Sequence, residues 1–429
     1  MTEPTRRASS ADEARRERVR ELLRRSADAS GFLPFDRFMD IALYSDGAGF
    51  YAREDSPFGR QGDFYTAAHA SPLFGRAIAE RIRSVARTIP GAAPVRVVEV
   101  GPGDGTLGES ILEGLAHDTS LMSRIEYVLV ERSPALLMRA FDRVTSSGAA
   151  VGIPVSAAAA VGADGPFQGV VVANELLDAQ PARRLHWNGE TWEESGLRWT
   201  GTEFIPETAP LEQAVPAPSL PRPDSAGTVL EVSPMAEGIV REVADHLVAG
   251  LFLVLDYGMD ESELLTGHPS GTLAAVRRHR VVDDPLADPG GSDLSVFVNF
   301  TRVRAAATAA GLREVAFQRQ AEALGTWGFP ELLEEAVRSA PSDEAQVRIR
   351  LAAKNLLFGF NRFYALELAP PEPGARSAGL TQPVASASSR GPRRPSPRPR
   401  GARSRRGAKG CRRPSDRSFR NPLRSGGSP

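Results

Sequence analysis

The sequence predicts an α/β protein built on a Rossmann-like, mostly parallel sheet, with an N-terminal helical region and a β-rich insertion. Three observations carry this. The stretch "VRVVEVGPGDGTLGES" at 95–110 is an apolar strand running into a glycine-rich turn. From there the chain alternates between strand-sized apolar runs and helical periodicity, the pattern of helices laid over both faces of a parallel sheet. With 41% hydrophobic residues the chain can bury a substantial core, yet its longest apolar runs, such as "LFLVLDYG" at 251–258, fall far short of the roughly 18 residues of a membrane span.

Residues 1–30 are charged with both signs and read as a helix or arm. They lack the apolar core of a secretory signal, and Glu3, Asp12, Glu13, Glu17 and Glu21 argue against a transit peptide. Residues 31–94 form a helical region, with helices at "FDRFMDIALY" and "SPLFGRAIAERIRSVARTI". The long glycine- and aromatic-rich loop between them, residues 45–70, is a candidate lid. The main domain, 95–369, holds the strands "VRVVEV", "IEYVLVE", "GVVVANE" and "LFLVLDYG". Its helices are "LGESILEGLA", "SPALLMRAFDRV", which Ser133 and Pro134 open, and "SPMAEGIVREVADHLVAG". Within it, 182–227 reads as an insertion of short strands around an Asn-Gly turn followed by a proline-rich loop, a candidate substrate-side flap.

The formal net charge of −1 conceals two opposite parts. Residues 370–429 hold 15 Lys+Arg and 2 Asp+Glu, which leaves 37 of the 52 basic and 51 of the 53 acidic residues in the body. The Pro-, Arg- and Ser-rich tail is too poor in apolar residues to fold alone and reads as disordered, with contact to nucleic acid or an anionic surface as its minor functional reading. Cys411 is the single cysteine, so the chain has no internal disulfide and no thiolate metal site. A reducing, cytoplasmic location is the simple reading, with mitochondria the alternative in a eukaryote. Six scattered histidines give no metal site.

The glycine turn fits two ligands. Gly101, Gly103 and Gly105 make G-x-G-x-G, a loop for S-adenosylmethionine, whereas Gly103, Gly105 and Gly108 make the dinucleotide signature. A dinucleotide site also wants an acid about 20 positions on, and the acid ending the next strand, Glu131, lies about 30 on. The methyl donor fits better. Glu99 at the tip of the first strand suits a ligand with an ammonium and a sulfonium, Glu131 can accept from two ribose hydroxyls, and glycines let the backbone approach. Farther on, Asn174, Glu175 and Asp178 follow a strand, where carboxylates either hold a cationic acceptor or cap a helix N-terminus. Spacing alone leaves those two equal.

"FMDIALYSDGAGFYARE", "FGRQGDFYTAA", "VVEVGPGDGTL", "VLVERSPAL", "VVANELLDAQP", "EVSPMA", "LVLDYG", "SGTLAAVRRHRVVDDPLADPGGSDLSVFVNFT" and "AEALGTWGF" run in an order that resembles the MidA-like methyltransferases, over about residues 31–366. The resemblance implies a class I methyltransferase fold, S-adenosylmethionine as cofactor, and a protein substrate. A mitochondrial branch of the family is described as methylating an arginine on a respiratory complex subunit. It also implies that Glu99, Gly101, Gly103, Gly105 and Glu131 hold the cofactor, with Gly62, Asp63 and Thr66 closing over it. Asn174, Glu175 and Asp178 would be catalytic and face the acceptor, as would the loop carrying His279, Asp293 and Asn299. The chain departs from the family's usual residues at His69, Leu177, Gln180, Ser295 and Asn299, all on the implied acceptor side. The reading is a protein arginine methyltransferase that uses S-adenosylmethionine. A non-catalytic assembly factor on the same fold is its rival, and an NAD-dependent oxidoreductase the distant third.

Overall fold

The computed structural model describes residues 3–52, 66–149 and 152–371. Its centre is an eight-stranded sheet of β1 (Val95–Val100), β2 (Ile125–Val130), β3 (Val155–Ala158), β4 (Phe167–Asn174), β5 (Leu247–Met259), β6 (Val298–Asn299), β7 (Arg313–Arg319) and β8 (Phe363–Ala369). The order is β3-β2-β1-β4-β5-β8-β7, with β6 beside β5. Pairing is parallel from β3 through β5, and β8 runs antiparallel to both its neighbours. The strand order reverses between β1 and β4. A crevice therefore opens at the carboxyl ends of those two strands, where open α/β sheets take ligands.

Alternation along β1 sends Val95 and Val97 into the core on one face and Val98 and Val100 into the core on the other. The first core is closed by the helices Pro72–Thr88, Thr106–Leu115 and Pro134–Ser146, and the second by Pro234–His246 and Phe300–Ala309. Fully buried Phe74, Ile78 and Ile82 repeat at four-residue steps along Pro72–Thr88. Each contributes about 1.5–3 kcal/mol by leaving water. Three helices start on the same Ser-Pro pair. Ser71, Ser133 and Ser233 accept from the N–H of Leu73, Leu136 and Ala236, and proline fills the first turn, where an N–H would be unsatisfied.

A second sheet, antiparallel throughout, joins Phe32–Pro34, Trp192–Trp199, Arg183–Trp187 and Val229–Val232, with Phe204–Pro210 paired to Trp192–Trp199. Its turn is the expected Asn188-Gly189, where Asn188 Oδ1 accepts from the N–H of Glu190 and Thr191 at 2.9 Å. The sheet is wider than the insertion at 182–227. It recruits Phe32–Pro34 from the region expected to be helical and Val229–Val232 from beyond the insertion. A small third sheet holds Ala274–Arg277, Arg280–Val281 and Asp293–Ser295. Residues 1–30 contain the helix Glu3–Ser26, anchored by buried Val19 and Leu23.

One expected boundary is corrected. The helix read over 233–250 ends at His246, and Leu247 already pairs with Phe167 as the start of β5. "LVAG" is as apolar as a helix would be, but hydrogen bonding to β4 decides. Short, half-exposed β3, Val-Ser-Ala-Ala, is too small a run to signal a strand in the sequence, and β7, β8 and the helices Phe329–Arg338 and Asp343–Lys354 likewise emerge only in the structure. Gly62 and Asp63, and the tail beyond residue 371, lie outside the described residues. Among the described residues no helix is long and apolar enough to cross a membrane.

Candidate functional site

The crevice between β1 and β4 opens into a cavity of about 740 Å³. Its floor on one side is the glycine turn, in which Gly101 and Gly103 line the cavity and Gly105 packs against Ala140 instead. Gly101, Gly103 and Gly105 all have left-handed φ values of 70°, 58° and 84°, a conformation that side chains other than glycine adopt at a cost. A Cβ on Gly105 would lie 2.9 Å from the Ala140 backbone, and one on Gly101 would meet Leu176 Cδ1 at 2.7 Å. Gly108, the third glycine of the dinucleotide reading, is instead inside the helix, where a Cβ would strike Glu99 Oε2 at 2.6 Å. Its role is packing.

Glu99 lines the cavity with 2% of its surface exposed, and its Oε2 accepts from the Tyr127 hydroxyl at 2.8 Å. Burial pushes its carboxyl up to about 7 despite that bond. Glu131, at the end of β2, accepts from Ser133 N–H at 2.8 Å and faces the same cavity. Burial raises its carboxyl too. At the turn itself, burial would raise Asp104, but hydrogen bonds from His69 and Thr106 and the Arg143 charge outweigh it and hold the carboxyl at about 2. Thr66 sits at the N-cap position of the short helix Ala67–Ala70 without bonding to its backbone, and its hydroxyl lies 2.7 Å from His69 Nδ1.

The opposite wall is assembled from distant segments. β4 ends at Asn174, and the chain turns through Glu175 at a φ of 49°, rare for a residue with a side chain. Glu175 Oε1 accepts from Ala67 N–H at 2.9 Å. Glu175 thus caps a helix 108 positions away while lining the cavity. Burial pushes Glu175 up to about 8 and Asp178 up to about 6. Asp178 is 7% exposed and its carboxylate is hydrogen-bonded by Tyr257, while among the described residues its Oδ1 and the Asn174 Oδ1 are buried without a hydrogen-bond partner. Such acceptors are costly unless something donates to them. Asp293 joins them from the third sheet, accepting from Tyr51 at 2.8 Å.

Two expected acceptor residues are not brought here. His279 lies exposed in the turn between Arg277 and Arg280 and does not line the cavity. Asn299 is the N-cap of Phe300–Ala309, accepting from Arg302 N–H and donating to Glu261 at 2.9 Å in a buried network outside the cavity. Sequence proximity to Asp293 is no guide, because the chain turns away after Ser295. Conversely, Tyr44, Tyr51 and Tyr257 line this wall, and the sequence reading names none of them. All three occur in the family-like segments, which was the available signal.

Comparison with known proteins decides the family. Residues 73–318 match the family described as "Putative S-adenosyl-L-methionine-dependent methyltransferase". A Burkholderia thailandensis structure with S-adenosyl-homocysteine bound is 30% identical, with a TM-score of 0.76 over 84% of this chain and 93% of that one. This chain belongs to that methyltransferase family. The methyltransferase is also 29% identical to the mitochondrial protein arginine methyltransferase NDUFAF7 homolog of Drosophila melanogaster, over 69% of this chain and 71% of the relative. It is 26% identical to the human protein arginine methyltransferase NDUFAF7, over 64% and 66%.

S-adenosylmethionine is thereby the cofactor, and the residues fit it. Gly101 and Gly103 present backbone to the cavity in a left-handed turn, and Glu131 offers an acidic acceptor at the strand end beside them.

Proposed function

We propose that this methyltransferase methylates an arginine side chain of a protein, with Asp178 and Glu175 holding the guanidinium and Asn174 assisting. The observation that carries the reading is the pair of buried, unpartnered oxygens, Asp178 Oδ1 and Asn174 Oδ1, on a wall lined with carboxylates and tyrosines. A planar cation with several N–H donors satisfies such acceptors, and its flat face suits aromatic rings. The relatives' names as protein arginine methyltransferases support the same acceptor. On the cofactor side, the backbone of Gly101, Gly103 and Gly105 and the Glu131 carboxylate take the donor, with Glu99 and Thr66 behind them.

S-adenosylmethionine supplies a methyl group on a positively charged sulfur that leaves as a neutral thioether. The protein's part is alignment and charge. Asp178 and Glu175 would hold and orient one guanidinium nitrogen toward the donor, and the proton shed by that nitrogen would pass to one of these carboxylates. Both carboxyls are raised by burial without a substrate, and an arriving cation draws them into the ionised form.

The test is transfer of isotope-labelled methyl from S-adenosylmethionine into proteins of a cell extract that lacks the endogenous enzyme, followed by sequencing of labelled peptides. Label on arginine that disappears with Glu175→Gln is the expected result. Label on another residue type would replace the acceptor, and no label with cofactor binding intact would favour the non-catalytic assembly role.

A further inference from the structure

Asp256 lies at the carboxyl end of β5 and is 0% exposed. Parallel pairing sets Leu255 opposite Asn174, so Asp256 is level with the turn that leaves β4. Its Oδ2 accepts backbone N–H bonds from Leu176 at 3.1 Å, Leu177 at 2.8 Å and Asp178 at 3.4 Å. Oδ1 accepts from Tyr257 N–H at 2.9 Å. The fan of three N–H groups belongs to the turn that Glu175 enters with its left-handed φ. A strained residue of that kind persists only where its surroundings over-determine it. The anchoring has a second arm, since Leu255 O accepts from Glu175 N–H at 2.8 Å. The neighbouring Tyr257 donates to Ser295 Oγ at 2.6 Å and stands beside Asp178.

We propose that Asp256 is a positioning residue for methyl transfer, fixing from the neighbouring strand the backbone that aims Glu175 and Asp178 at the acceptor. It does not line the cavity and so acts only through the turn. The proposal rests on the reading of Glu175 and Asp178 as acceptor-holding groups.

Three measurements on wild type, Asp256→Ala and Asp256→Asn test it: methyl transfer into extract proteins, S-adenosyl-homocysteine affinity by calorimetry, and amide hydrogen exchange at residues 176–178 and 257. Asp256→Ala is expected to lose transfer about 100-fold while S-adenosyl-homocysteine affinity stays within about threefold, and exchange at 176–178 rises about tenfold or more. Asp256→Asn keeps one acceptor oxygen and is expected to recover transfer to within about tenfold of wild type. Transfer by Asp256→Ala within about threefold of wild type, unchanged exchange at 176–178, or a parallel loss of affinity would each overturn the proposal. If Asp256→Ala does not fold, Asp256→Asn decides through exchange. Its amide leaves either the turn or Tyr257 N–H without an acceptor, and unchanged exchange at all four amides overturns the assignment. Should wild type transfer nothing to any protein, the arginine reading fails, while the exchange data still decide what Asp256 holds in place.

Discussion

The two walls of the cavity are built in opposite ways. The proposed cofactor wall is mostly local: β1, the glycine turn and the end of β2 fall within residues 95–131, and Thr66 joins them from outside. The proposed acceptor wall is gathered from Tyr44 and Tyr51, Asn174 to Leu176 with Asp178, Tyr257, and Asp293 with Ser295. The first is set by backbone conformation, which needs glycine at stated positions. The second is set by side-chain chemistry held in place by bonds between distant segments, such as Glu175 to Ala67 and Tyr51 to Asp293. The difference teaches that the two walls should fail separately.

Changes to the local wall should have the largest effect. Gly105→Val forces a β-branched side chain into a left-handed φ and against the Ala140 backbone. The expected result is loss of S-adenosyl-homocysteine binding by about 100-fold or more, with about 1–3 kcal/mol of lost stability, read by calorimetry and thermal melting. Retained affinity would remove the turn from the cofactor site. Glu175→Gln comes next. Methyl transfer should fall by about 10²- to 10³-fold with cofactor affinity nearly unchanged, and a parallel fall in affinity would show that the walls are not separable.

A smaller effect is pH-dependent. Burial raises the folded-state carboxyl of Glu175 from 4.5 to about 8, so the folded protein binds this proton more tightly than the unfolded chain. The group therefore takes stability away as pH rises through that interval, and nothing is lost below the unfolded value. Glu175→Gln should melt at the same temperature as wild type near pH 4, where both side chains are neutral, and higher than wild type near pH 9. A lower melting temperature than wild type at high pH would mean that the carboxylate is stabilised by a partner instead. In wild type, transfer should climb between pH 6 and 8 as Asp178 and then Glu175 ionise.

The smallest effects fall outside the cavity. Asn299→Ala should cost about 1 kcal/mol through loss of the helix cap, seen as a lower melting temperature with KM for the protein substrate unchanged. His279→Ala should leave stability and transfer within experimental scatter. A raised KM in either variant would return that residue to the acceptor side.

The sequence by itself determined the α/β class, the glycine turn and the helix starts, because each depends on neighbours only a few positions away. Apolar "VRVVEV" becomes β1 at the expected residues, and Ser-Pro at 71, 133 and 233 opens a helix each time. The order of the segments carried the family and its cofactor. Tertiary structure alone decided the rest. It drew "LVAG" out of its helix into β5, and it took Phe32–Pro34 from the helical region to extend the second sheet. It put Asp293 into the cavity while leaving Asn299, six residues on, as a helix cap. Those outcomes depend on which backbone finds a hydrogen-bonding partner and which polar side chain is left buried, quantities fixed only when distant segments meet.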